Sequence, residues 1–216
     1  MPDVPQIVLP HGGYKKLIVF RKSEVIYQGT VTFCRRFLPQ HGDRTVDQMT
    51  QAARSCKQNI AEGSAASGTS KETELKLTNV ARATLDELNE DYLDYLTSHG
   101  SAEWAAESEQ KQYARNYSTE HNDWPDWREF CESRPAETVA NLMIVVIQQT
   151  KYLLDRMIAR QAARAESWDA AIYSRLDAAA NGVELAAAAA EIKAAVDRAV
   201  AGIRKRKGFG ERTQRT

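Results

Sequence analysis

From Pro135 to about Ala165 the chain runs without a glycine or a second proline, and the centre of that stretch is apolar in nearly every direction. Val139, Met143, Val146, Thr150, Leu153 and Met157 recur at three and four residues, the spacing of one helical face. Leu142, Ile144, Val145, Ile147, Leu154 and Ile158 widen that face beyond a single stripe. Pro135 suits the first turn of a helix, where its missing N–H costs nothing. A helix apolar nearly all round must be covered on several sides. Four helices of a bundle give only part of that cover, so the pattern predicts a second subunit against this helix.

Six prolines and eleven glycines in 216 residues, gathered in a few places, leave room for long helices rather than many short strands. The expected fold class is therefore all-α: an antiparallel up-down four-helix bundle with a C-terminal helical extension. Residues 1–14 read as an irregular leader, with three prolines and Gly12-Gly13. The first helix is predicted over about 15–38, ending at Pro39. The second runs over about 45–61, with Asp43 as candidate N-cap and Gly63 closing it. Thr69 and Glu72 have capping-box spacing before a third helix over about 70–98, whose apolar stripe is Leu77, Ala81, Leu85, Leu88, Tyr92 and Tyr95. Gly100 ends it. The bundle spans 15–165 and includes a long connection, 100–134, read as a short helix and a loop. Residues 166–204 form the extension, as helices over about 168–180 and 183–204 parted by Asn181-Gly182, and 205–216 form a basic disordered tail.

The net charge is zero, but the charges are segregated. Residues 15–57 carry nine Lys or Arg against three acids, residues 86–110 carry eight acids and no Lys or Arg, and residues 203–216 carry six basic residues and Glu211. A basic half, an acidic segment and a basic tail suit polyanion binding or head-to-tail packing between copies. Three scattered cysteines make no CxxC pair and suit a reducing cytoplasm. The N-terminus shows no signal-peptide pattern, and the longest apolar run, residues 142–147, is far short of the roughly 20 residues of a membrane span. A cytoplasmic protein with no membrane contact is expected.

Residues 53–63, ARSCKQNIAEG, the Ser70-Lys71-Glu72 triplet, the Val80-Ala81-Arg82-Ala83 segment and ETVANLMIVVIQQTKYLLDR carry a resemblance. Together they resemble the four-helix-bundle proteins encoded by intervening sequences in bacterial 23S ribosomal RNA genes, a family that includes the accessory variability determinant of diversity-generating retroelements. The resemblance covers about residues 15–160. It implies an antiparallel four-helix bundle assembled as a homopentamer and, in the retroelement member, contact with a reverse transcriptase and its RNA. The longer connection between the third and fourth helices and the extra C-terminal residues are similar to the branch called four-helix-bundle suffix proteins.

Arg54, Lys57 and Arg82 within these segments, with Arg204, Lys205, Arg206 and Lys207 in the tail, are the candidate nucleic-acid contacts. Lys and Arg on a rigid helix pair with phosphates and release counterions. The alternative reading of the helix residues is ion pairing with the acidic 86–110 segment. Asn59, Glu62 and Gly63 read as a structural cluster at a turn, and the tryptophans and tyrosines as packing anchors. Arg115 and His121 match the R-x5-H spacing of the helical HEPN ribonucleases, although they fall in the irregular connection. No metal-ligand spacing, phosphate loop or nucleophile elbow appears, and no cofactor is expected. The expected function is a non-catalytic oligomeric bundle that binds RNA, DNA or a nucleic-acid enzyme. The alternatives are a scaffold that recruits a protein through the C-terminal helix, and a HEPN-like ribonuclease.

Overall fold

A computed structural model describes residues 13–39, 44–180 and 194, with side chains through residue 164 and at 194. Asp43, the leader before Gly13, the helix expected over 183–204 (Ala194 apart) and the basic tail lie outside the described residues. The described residues contain six α-helices and no strand, so the chain is all-α. A 3-10 turn at Tyr14–Lys16 leads into α1 (Ile18–Phe37), followed by α2 (Arg44–Ala66), α3 (Lys71–Ser98), α4 (Glu109–Glu120), α5 (Trp124–Ser133) and α6 (Ala136–Ala180). Contacts divide the chain into two units, Met1–Ala163 and Arg164–Thr216.

In the first unit α1, α2, α3 and α6 share one core. Glu74 meets Gln161, Arg82 meets Asp155 and Asp86 meets Lys151, so rising numbers in α3 meet falling numbers in α6. Lys22 and Gly29 of α1 face Gln149 and Met143 of α6 in the same opposed order. Phe33 packs against Tyr92 and Tyr95 with ring centroids 5.0 and 4.8 Å apart, and the Tyr92 hydroxyl donates to Thr30 Oγ1 at 3.0 Å within the core. Burial of each large apolar side chain here contributes roughly 1.5–3 kcal/mol. Gly29 has a packing reason: a Cβ there would overlap the Met143 thioether, which has no exposed surface into which to move.

Several element boundaries differ from the sequence expectation. Helix α2 does not close at Gly63 but continues through Ala66. Gly63 is buried inside it, where a Cβ would come within 3.4 Å of the Glu74 carbonyl and Leu77 Cβ. The glycine therefore sets the close approach of α2 and α3 rather than a turn. The N-cap of α3 is Ser70, whose hydroxyl accepts from Thr73 N at 3.1 Å. Thr69 instead donates to the Ala66 carbonyl. Gly100 has φ of 70° and follows the end of α3, as expected. Helix α6 passes Ala165 unbroken and reaches Ala180.

The largest difference lies between α3 and α6. Where a short helix and a loop are expected there are two helices, α4 and α5, each entered through an extended residue, Ser108 or Asp123. Pro125 occupies the first turn of α5 as Pro135 precedes α6, the same start signal twice within one segment. These helices and the strap before them are fastened to the bundle by side chains. Asn141 of α6 accepts from Trp104 N at 2.7 Å and donates to the Ala102 carbonyl at 3.2 Å. Glu103 accepts from Gln148 at 2.9 Å and pairs with Lys111 at 2.5 Å. Arg21 of α1 holds Asp123 through Nε at 2.7 Å and through its second nitrogen. Residues 139–147 of α6 are all buried within this single chain. The chain supplies its own cover, so the burial that suggested a second subunit is met internally.

Candidate functional site

The predicted basic contacts fall into three different settings. Arg54 is exposed on α2 and makes no ion pair among the described residues. Lys57, half-buried three residues on, holds its ammonium 4.4 Å from the Tyr27 ring centroid. Arg82 is engaged within the chain: Nη1 donates to Asp86 at 2.8 Å and Nε to Asp155. The Asp155 hydrogen bond, then the Asp86 charge, raises its pKa above the ordinary value. Asp86 also pairs with Lys151, so one carboxylate of the acidic segment is shared by two cations. Arg204, Lys205, Arg206 and Lys207 lie outside the described residues.

Much of the basic excess of residues 15–57 is likewise used internally. Arg21 is paired to Asp123, and Arg36 donates to the Cys131 and Arg134 carbonyls at 2.5 and 3.0 Å. Lys22 is buried, 3% exposed, with its ammonium 2.5 Å from the Ser118 carbonyl, 2.8 Å from Ser118 Oγ and 3.5 Å from Gln149 Oε1. No ion pair to a carboxylate forms there among the described residues. Burial pushes the Lys22 pKa down to about 8. A lysine and a serine at hydrogen-bonding distance form the pair used by some hydrolases. Here both are enclosed, Ser118 with no exposed surface, so the pair serves to pin α4 onto α1 and α6.

Asn59 donates to the Ser55 carbonyl and hydroxyl at 2.8 and 3.0 Å, a local bond within α2, and Glu62 is exposed. Glu74, which no sequence signal singled out, is buried at the α2–α3 junction and accepts from Lys71 and Gln161, each at 3.1 Å. The NIAEG and SKE segments thus build one helical hairpin.

Arg115 and His121 engage different partners. Arg115 is exposed on α4 and reaches the Ala106 carbonyl at 3.4 Å. His121 ends α4, stacks on Tyr117 with centroids 3.8 Å apart, and places Nδ1 3.0 Å from the Tyr117 carbonyl. Trp127 is an anchor, 1% exposed, with Nε1 donating to the His121 carbonyl at 3.0 Å. Cys34, Cys56 and Cys131 are buried and form no disulfide among the described residues, and burial pushes the Cys131 thiol up to about 12. Among the described residues no group of His, Cys, Asp and Glu is arranged to hold a metal, and no helix is long and apolar enough to cross a membrane.

A cleft of about 600 Å³ opens where α4 passes the α5–α6 junction, walled by Trp104, Tyr113, Phe130, Arg134, Glu109 and Glu137. Sequence reasoning passed over it because most of its walls come from the connection between the third and fourth expected helices, where the stretch that forms α5 reads as a loop. No family model, curated protein or solved structure matches the chain.

Proposed function

We propose that the protein is a non-catalytic helical binding module that engages single-stranded RNA through α2, with Arg54 and Lys57 as its first contacts. The observation that carries this reading is the exposed guanidinium of Arg54, which makes no ion pair among the described residues, on a 23-residue helix three residues before Lys57. Both stand on one long helix, and phosphate pairing there releases counterions. Arg82 is left out of the contact set because two carboxylates hold it. The resemblance supports the same direction, and extends it to a homopentamer and to a reverse transcriptase as protein partner in the cytoplasm.

The test is a salt titration of the full chain against a single-stranded RNA. With two phosphates neutralised per chain, log K falls against log salt with a slope of about −1.4. The Arg54→Ala, Lys57→Ala double variant weakens binding about tenfold or more at low salt. Salt-insensitive binding, or binding unchanged in the double variant, removes the reading.

A second reading, recruitment of a protein through the C-terminal helix, is favoured by the continuation of α6 to Ala180. Removal of residues 168–216 then abolishes capture of that partner and leaves RNA affinity unchanged.

A further inference from the structure

The cleft between α4 and the α5–α6 junction has no part in the α2 contact. Its walls are three aromatic rings, those of Trp104, Tyr113 and Phe130, and Leu142 of the α6 core lines it as well. Its volume of about 600 Å³ lies in the ordinary range of small-molecule sites. Tyr113 is 59% exposed, far more than a ring serving only as packing.

The charges select among guests. Glu109 is the first residue of α4 and Glu137 lies in the first turn of α6. The partial positive charge of each helix N-terminus offsets about half of one carboxylate. The charged side chains that line the cleft are these two carboxylates and the Arg134 guanidinium. An anionic ligand finds one guanidinium to pair with, Arg134, and two carboxylates to avoid. An organic cation meets carboxylates and aromatic faces together, the combination that recognises alkylated ammonium and guanidinium groups. The wall already holds one such group: the Arg134 guanidinium lies 5.9 Å from the Phe130 ring centroid. Arg134 is exposed at the C-cap of α5, so it occupies that wall as a tethered, displaceable cation.

The geometry points to a binding site for an organic cation, an alkylammonium or a guanidinium, in the cleft walled by Trp104, Tyr113, Phe130, Glu109 and Glu137, with Arg134 as an internal competitor. The guest's source, a free small molecule or a peptide side chain, shares this chemistry.

The experiment titrates choline, methylguanidinium and an arginine-bearing tripeptide into the full chain, with benzoate as the anionic control, following aromatic ring resonances by NMR. Saturable shifts with the cations and none with benzoate are expected. Tyr113→Ala weakens choline binding about fivefold or more, while far-UV circular dichroism shows the fold retained. Glu109→Gln with Glu137→Gln weakens the cations and leaves benzoate unbound. Arg134→Ala tightens choline by roughly threefold, an effect no merely structural arginine produces. A tripeptide that binds tighter than methylguanidinium identifies a peptide source, and the reverse order a free cation. Benzoate bound as well as choline, no saturable shift with any cation, or choline affinity unchanged in Tyr113→Ala overturns the assignment.

Discussion

Lys22 shows how a single residue can stabilise an arrangement and strain it at once. Its ammonium satisfies the Ser118 carbonyl, yet the charge is taken from water without a carboxylate beside it. The ordinary value is 10.5 and the folded value about 8. The unfolded chain therefore holds the proton more tightly than the folded one. Below pH 8 both states are protonated and the folded state bears the full penalty, about 3 kcal/mol on the scale of 1.4 kcal/mol for each pH unit. Between pH 8 and 10.5 the penalty is relieved, so this residue's contribution rises with pH. Cys131 and Tyr92 act in the opposite sense, because burial raises their pKa values and the unfolded chain ionises first. Lys22→Met removes the penalty but leaves the Ser118 carbonyl unpaired, which costs about 1–3 kcal/mol. At pH 7 we expect the variant to be more stable by roughly 1 kcal/mol, and the advantage to vanish and reverse by pH 10. Urea unfolding of both proteins across that range isolates the term, since the thiols and phenols cancel in the difference. A stability difference independent of pH would refute it.

At the scale of elements, the start of α3 offers a sharp discrimination between neighbouring hydroxyls. Ser70 satisfies the Thr73 N–H, whereas the Thr69 hydroxyl only returns to the Ala66 carbonyl. Loss of an N-cap side chain costs about 1 kcal/mol. Ser70→Ala should therefore lower the midpoint of thermal unfolding clearly, and Thr69→Ala by much less. Equal losses in calorimetry would mean that the capping box expected at Thr69 operates after all. The misplacement has a simple origin: Thr69 and Ser70 are adjacent and Glu72 is close to both, so spacing alone cannot choose. The third helix was legible because Ala81, Leu85, Leu88 and Tyr92 keep one strict stripe, and all are buried. Helices α4 and α5 were obscure because they bury few residues each, Lys111, Ala114 and Ser118 in one, Trp127 and Cys131 in the other. Two buried polar side chains in α4 erase the apolar period that announces a helix. The cleft followed them out of sight, as did Glu74, whose partner Gln161 lies far along the sequence. Gly63 was recognisable as special, but a glycine needed for close helix packing and one needed for a turn look alike in a sequence.

For the molecule as a whole, the question is whether its core depends on other copies of itself. The apolar centre of α6 suggested that it does, since four helices do not enclose such a surface. The strap at 101–108 with α4 and α5 changes that account, because residues 139–147 are covered by the chain's own elements. Asn141, deep in that region, spends its amide on the strap: it accepts from Trp104 and donates to the Ala102 carbonyl. Its buried amide thus finds its partners within the chain, as buried polar groups must. A pentamer of the kind the resemblance implies would then join surfaces of protomers already folded. Obligate oligomers lack a stable folded monomer, and their unfolding midpoint shifts with concentration. This protein should behave otherwise: on about a hundredfold dilution its native mass falls wherever copies separate, while helical ellipticity and unfolding midpoint hold. Native mass spectrometry and circular dichroism on the same dilution series decide the point. Ellipticity lost in step with dissociation would show that the cover over α6 is incomplete without a neighbour.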